Sequence, residues 1–199
     1  MERQTIKIGF TGTQKGLTDL QKTMLKCILE KICQYYDVEE IHHGDCIGAD
    51  EEIDEICRIK KRLLALSKSE AIFFPTVVIH PPTYNAKRAF CNNRGNSVIL
   101  QEKSYLARNH DIVDDTDMLI AISGNDSEVL RSGTWATIRY AKKKEKRIII
   151  IYPNSRTEIF KDGELLKEVD WLLSLFLEDE NVWRKTNIVW SLLCRFPKS

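Results

Sequence analysis

The residues of this chain able to do chemistry sit in short loops that close apolar runs. Ser132-Gly133-Thr134 opens a stretch with helical patterning. Exposed N–H groups at a helix start favour an anion, and glycine allows close approach. The same triplet serves equally as an ordinary N-cap through Ser132 or Thr134. Gly12-Thr13, followed by Gln14, closes the first apolar run and is either a second phosphate cradle or a plain strand–helix turn. Gly44-Asp45 and Ala49-Asp50 follow the second run. Asp45 can accept hydrogen bonds from ribose hydroxyls, as acids do at dinucleotide sites, whereas Asp50 reads as the N-cap of the next helix. His80-Pro81 ends the third run, and Ser123 ends the one before Ser132.

Arg108, beside Asn109, can grip a phosphate bidentately or pair with Asp111 or Asp114 at the surface. Arg94 is a further phosphate-binding candidate. Trp135 follows the glycine–threonine pair and either stacks on a base or fills the core. Cleavage of an N-glycosidic bond would need a carboxylate, and with Asp50 read as a cap, Asp45, Asp126 and Glu128 are the acids left near the loops. Glu128 and Asp45 are therefore the catalytic candidates. His42, His43, Asp45 and Cys46 invite a metal reading, but adjacent strand residues point to opposite faces, so no metal site is expected. Neither a Ser/His/Asp arrangement nor a Walker-type glycine–lysine loop is identifiable.

These loops need elements to hold them. Strands are expected at Ile6 to Phe10, Val38 to His42, Ile72 to Ile79, Met118 to Ser123 and Arg147 to Tyr152. Pro75 threatens to interrupt the third, since proline cannot donate to a central ladder. Helices are expected from about Thr18, with Leu25, Ile28, Leu29, Ile32 and Cys33 as one buried stripe, from Asp50 to Leu66 with Ile53, Ile56 and Cys57 inward, from Tyr105 to Asp114 and from Thr134 to Lys144. Thr18 and Gln21 have capping-box spacing. Pro82 to Glu102 is poorly legible, with a short helix expected at Ala86 to Cys91. Unalternating Ile/Val runs suit strands buried on both faces of a parallel sheet. The alternation of strands and helices predicts an α/β Rossmann-like, doubly wound, mostly parallel sheet, whose strand ends share one crevice.

The chain has 199 residues and a formal net charge of +1. It is long enough for one well-cored domain, and its charge offers no global attraction to nucleic acid or membrane. Residues 1–155 read as the core and 156–199 as an extension of the same domain. The extension holds a turn at Asp162-Gly163 and two apolar helices carrying Trp171, Trp183 and Trp190. Those helices either cover the sheet or mediate self-association. The basic run Lys142 to Arg147 reads as a solvated helix C-terminus. The six cysteines lack zinc spacing, and the N-terminus lacks an apolar leader. Reduced thiols and a cytoplasmic location are expected.

Taken in order, Gly9-Phe10-Thr11-Gly12, Gly44-Asp45 with Gly48-Ala49-Asp50, His80-Pro81, Arg108-Asn109 ahead of Asp117-Met118-Leu119-Ile120-Ala121, and Ser132-Gly133-Thr134 resemble the SLOG superfamily. That group of Rossmann-like proteins includes DprA and the LOG enzymes, and the resemblance is to its small stand-alone members. It covers Ile6 to about Pro153. It implies a site for nucleotide-derived ligands, in proteins that hydrolyse nucleotide N-glycosidic bonds, bind nucleic acid or sense nucleotide second messengers in bacterial defence. LOG enzymes carry Gly-Gly-x-Gly-Thr-x-x-Glu with a catalytic glutamate. Here Gly133-Thr134 match, Thr137 stands at the glutamate position and Leu130-Arg131-Ser132 replaces the leading glycines.

The expectation is thus a binding module without a resident cofactor. It would hold a nucleotide or an NAD- or ADP-ribose-derived molecule as a sensor or sequestering protein, and would self-associate through the C-terminal helices. The alternative is a nucleoside-phosphate N-glycosidase or deoxyribosyltransferase. DprA-like single-stranded DNA binding is the weaker third reading, because interleaved aromatics and a basic groove are missing.

Overall fold

A computed structural model describes residues 3–67, 75–91 and 97–166, with side chains described outside 59–67. Arg94, Cys194 and the two C-terminal helices expected from the sequence lie outside the described residues. The chain enters β1 (Gln4–Gly12), passes through α1 (Asp19–Tyr35) to β2 (Tyr36–His43), and through α2 (Ala49–Ser67) to β3 (Thr76–Ile79). Next come β4 (Ser97–Ile99), α3 (Tyr105–Asp114), β5 (Met118–Ile122), α4 (Gly133–Lys143), β6 (Arg147–Ile151), β7 (Thr157–Lys161) and β8 (Glu164–Leu165).

The strands form one sheet in the order β4-β3-β2-β1-β5-β6-β7-β8. The strands from β4 to β6 in that order pair in parallel, and β7 and β8 add an antiparallel edge. This is the α/β, Rossmann-like, mostly parallel architecture expected from the sequence. The order reverses between β1 and β5, the switch point where an open α/β sheet leaves a crevice beyond its strand C-termini.

The helices divide between the two faces. A Cβ on Gly9 would meet Ile112 and Thr116 at the end of α3, whereas one on Gly12 would lie 2.2 Å from the Ala49 Cβ of α2. An odd separation along a strand means opposite faces. Lys22 of α1 pairs with Glu52 of α2 at 3.0 Å, placing those helices together. α3 and α4 share the other face, where Ile112, Val113, Trp135 and Ile138 pack on Leu119, Ala121, Ile148 and Ile150. Burying such side chains stabilises each by about 1.5–3 kcal/mol.

Local chemistry explains most boundaries. The capping box at Thr18 forms, and Gln21 does more: its Nε2 donates to Ser123 O at 2.8 Å and Ile151 O at 3.1 Å, tying α1 to the ends of β5 and β6. Cys33 is exposed, contrary to the expected stripe, which runs Gln21-Leu25-Ile28-Leu29-Ile32 and leaves Cys33 at its flank. Ile53 and Cys57 are buried in α2 while Ile56 is only half-buried. Pro75 immediately precedes β3, where a missing N–H interrupts nothing. The expected helix at Ala86 to Cys91 contracts to a 3-10 turn at Asn85–Lys87, because the following residues pair with the loop after β2. β4 has no counterpart in the sequence reading. Asp162 and Gly163, with φ of 53° and 81°, make the β7–β8 turn, so the sheet runs past residue 155. The described residues fall within one compact unit ending at Leu166.

Candidate functional site

The crevice at the switch point has a volume of about 570 Å³, within the range typical of small-molecule sites. Thr11 to Lys15 at the end of β1 and just beyond it, Gly124-Asn125 after β5 and Arg131 to Trp135 around the start of α4 form one side. Cys46, Asp50, Arg108 and Asn109 close it from the other, with Tyr84, Lys87 and Tyr105 at the loops.

The start of α4 is held rigidly. Ser132 Oγ accepts from Trp135 N at 3.3 Å, so Ser132 is the N-cap. Thr134 Oγ1 donates to Gly12 O at 2.9 Å, fixing the helix to the end of β1. The first N–H groups of any helix lack intrahelical acceptors, and Gly133 and Thr134, the first two residues of α4, line this crevice. A Cβ at Gly133 would meet nothing within 4 Å, so the space above it is empty. Trp135 is 4% exposed and shares the core cluster with Tyr152; its Nε1 has no hydrogen-bond partner among the described residues.

Arg108 supplies the charge. Its side chain is 6% exposed, yet its nearest carboxylate, Asp50 Oδ2, is 4.0 Å away. Its Nη2 donates to Cys46 Sγ at 2.9 Å, and its buried Nε has no partner among the described residues. A buried guanidinium facing a weak thiol acceptor and a distant carboxylate is under-neutralised. Gly44 makes this possible: a Cβ there would stand 1.2 Å from Arg108 Nη1. Gly44 thus contributes room for the arginine and does not line the crevice.

Asp50 is the carboxylate among the described residues that lines the crevice. It is the second residue of α2, not its N-cap, and accepts from Cys46 N at 3.1 Å, securing the loop after β2. Desolvation raises its pKa above the usual carboxylate value, against the pull of Arg108 and His43. Burial likewise pushes the Cys46 thiol up.

Several candidates from the sequence stand elsewhere. Asp45 is fully buried, with φ of 57°. Its Oδ2 accepts from Arg88 Nε, and its Oδ1 accepts from Cys91 N at 2.7 Å. These bonds staple the loop after β2 to residues 84–91, so Asp45 positions Tyr84 and Lys87 without lining the crevice. His80 is buried against His42, with Nε2 2.9 Å from His42 Nδ1. Burial, then the neighbouring His42, lowers its pKa to about 3. Glu128 is paired with Arg139 at 2.8 Å on the surface and does not line the crevice. Asp126 is exposed, and its carbonyl accepts from Arg156 at 2.8 Å. Thr137, at the position of the LOG glutamate, is buried and donates to Gly133 O at 3.0 Å. Gly12, Thr13, Gln14, Arg108, Asn109, Ser132, Gly133, Thr134 and Trp135 do line the crevice.

Lys15, Tyr84, Lys87, Tyr105, Gly124, Asn125 and Arg131 also line the crevice, beyond the residues expected from the sequence. Tyr105 Oη donates to Tyr84 O at 3.1 Å, and the Arg108 guanidinium lies 5.8 Å from the Tyr105 ring centroid. The basic run after α4 is absorbed locally: Lys142 lies over Phe160 at 3.6 Å and Lys144 pairs with Asp114 at 3.0 Å. Among the described residues, no helix is long and apolar enough to cross a membrane.

No protein-family model matches the sequence, and no curated protein matches it. Among solved structures, the fold is similar to a molybdenum cofactor binding protein from the phototrophic bacterium Rippkaea orientalis, at a TM-score of 0.47 and 17% identity, covering 88% of this chain and 83% of that one. It is also similar to DNA processing protein A from Helicobacter pylori, at a TM-score of 0.45 and 19% identity over 79% of this chain and 69% of that one. A third similar structure, the structural-genomics target TM1055, gives a TM-score of 0.42 and 14% identity over 74% of this chain and 72% of that one.

Proposed function

We propose that this protein is a SLOG-like binding module whose crevice holds a small, phosphate-bearing nucleotide or an NAD- or ADP-ribose-derived molecule. The observation that carries this reading is Arg108, a buried guanidinium with an unpartnered Nε and no close carboxylate at the crevice wall. Arg108 lines the crevice, where a phosphate would neutralise its charge through the exposed part of the guanidinium, and such charge-assisted bonds are the stronger kind. The open start of α4 adds N–H donors, and Lys15, Lys87 and Arg131 place further positive charge in the lining. Tyr84 and Tyr105 offer aromatic surface for a base. The protein then acts by binding, as a sensor or as a sequestering protein.

A second reading, an N-glycosidase or transferase, draws on Asp50, a crevice carboxylate with a raised pKa. Such a group can act as a general acid. The two readings separate in one experiment. The protein is incubated with a mixed pool of nucleotides, NAD and ADP-ribose species, desalted and denatured, and the released and unbound fractions are read by mass spectrometry. One intact ligand recovered at near-stoichiometric amount supports the binder. Free base accumulating in the unbound fraction, and vanishing in Asp50→Asn, establishes the enzyme instead. Recovery of neither a ligand nor a product contradicts both.

A further inference from the structure

Outside the crevice, on the face covered by α3, a second group of chemically able side chains converges. In the β2–β3 ladder His42 pairs with Val78, which puts His80, two residues further on, towards the same face. His42 Nδ1 lies 2.9 Å from His80 Nε2. Asp115, the C-cap of α3, brings its carboxylate to them, and one ligand atom from each of the three residues lies within 4.8 Å of the others. None of the three lines the crevice.

We propose that His42, His80 and Asp115 form a site for a divalent transition-metal ion of the zinc class. Two imidazoles and one carboxylate are a standard donor set for such ions, at ligand distances of about 2.0–2.2 Å. The orientation of His42 supports the assignment. Its Nε2 lies 2.9 Å from Glu40 Oε2. A bond donated to that carboxylate leaves Nδ1 as the lone-pair nitrogen facing His80. A carboxylate behind a ligating histidine is the usual outer partner at metal sites, where it fixes the ring and its tautomer. Glu40 is itself anchored by Lys7 Nζ at 2.8 Å. Without metal, His80 Nε2–H donates to His42 Nδ1. On binding, His80 moves its proton to Nδ1 and both facing nitrogens become ligands, with no net change in protonation. His42 and His80 are buried while Asp115 is exposed. The ion is therefore reached past Asp115, and with three protein ligands it keeps one position for water. It would clip β2 and the end of β3 to the end of α3.

The test uses Co²⁺ as a spectroscopic probe on the full chain, with Zn²⁺ as competitor. The expected result is one equivalent of Co²⁺ with visible d–d absorption, displaced by Zn²⁺, and free of the intense sulfur charge-transfer bands that cysteine ligation would give. Asp115→Asn, an exposed position that leaves the fold intact, should weaken binding at least about tenfold, and Glu40→Gln by about 10–100-fold. His80→Gln should abolish the absorption. Absence of saturable binding, unchanged affinity in Asp115→Asn, or thiolate bands in the spectrum would overturn the proposal. None of these readouts depends on the crevice or its ligand.

Discussion

The two halves of the sheet edge are built from the same kinds of residue, and they use their hydrogen bonds differently. After β2 and β3 lie Asp45 and His80, both buried and both partnered within the protein. After β1 and before α4 lie Gly12-Thr13 and Ser132-Gly133-Thr134, which open on the crevice beside Arg108, a charge the protein leaves incompletely paired. A loop whose donors are satisfied internally is architecture. A loop beside unsatisfied buried donors is where a ligand gains most, because an unpaired buried polar group costs about 1–3 kcal/mol and a charged one more.

That contrast can be broken from either side. The largest effect on binding is expected for Arg108→Met. Loss of a buried charge-assisted contact of about 2–4 kcal/mol should weaken a phosphate-bearing ligand by roughly 30- to 1,000-fold in a calorimetric titration. The opposite half should fail in stability first. Asp45→Ala breaks a buried ion pair, costing about 3 kcal/mol or more, so the thermal midpoint should fall by roughly 6–12 °C. Its effect on the ligand comes only through the loosened Tyr84–Lys87 segment. Equal loss of affinity in Asp45→Ala and Arg108→Met, at unchanged stability in both, would erase the distinction drawn between the two halves.

Smaller changes sharpen it. Gly133→Val projects atoms into space that is empty in the structure. It should leave the thermal midpoint nearly unchanged yet weaken an anion about tenfold, an energy of about 1.4 kcal/mol. A drop in stability comparable to that of Asp45→Ala would show that Gly133 is there for packing. The pH profile adds a gentler test. Asp50 has a raised pKa in the folded protein, so its protonated form is the better accommodated. Its contribution to stability is complete below the unfolded carboxylate value and is lost as pH rises through the folded one. As the carboxyl takes up its proton on acidification, Arg108 loses its competing carboxylate. Affinity for an anion whose own charge is constant, such as sulfate, should therefore rise severalfold, and Asp50→Asn should flatten that rise. An unchanged profile in Asp50→Asn would remove Asp50 from the electrostatics of the site.

The sequence made the parallel sheet legible because its signals were local. The Ile-rich run of β6, the capping box at Thr18 and the Tyr105–Asp114 periodicity each survive folding nearly intact. The N-terminal edge of α4 was legible for the same reason. What stayed hidden depends on contacts distant in sequence. Asp45 looks like a ribose acceptor until the chain brings Arg88 to it, 43 residues later. Gly44 looks like a phosphate loop until Arg108 occupies the space its missing side chain leaves. The His42–His80 pair needs the β2–β3 register, which neighbouring-residue geometry does not contain. Asp50 was legible as an acid near a helix start, but its place in the crevice wall follows from the turn at Gly48, where φ is 87° and a side chain would collide with the Thr13–Gln14 backbone.

The most direct measurement compares two ligands that differ only in phosphate. Calorimetric titration of the purified protein with AMP and with adenosine, at one salt concentration, isolates what Arg108 and the start of α4 contribute. AMP is expected to bind at least about 100-fold more tightly than adenosine, a preference that Arg108→Met should largely erase. Equal affinity for AMP and adenosine, or an AMP preference that survives in Arg108→Met, would contradict this expectation.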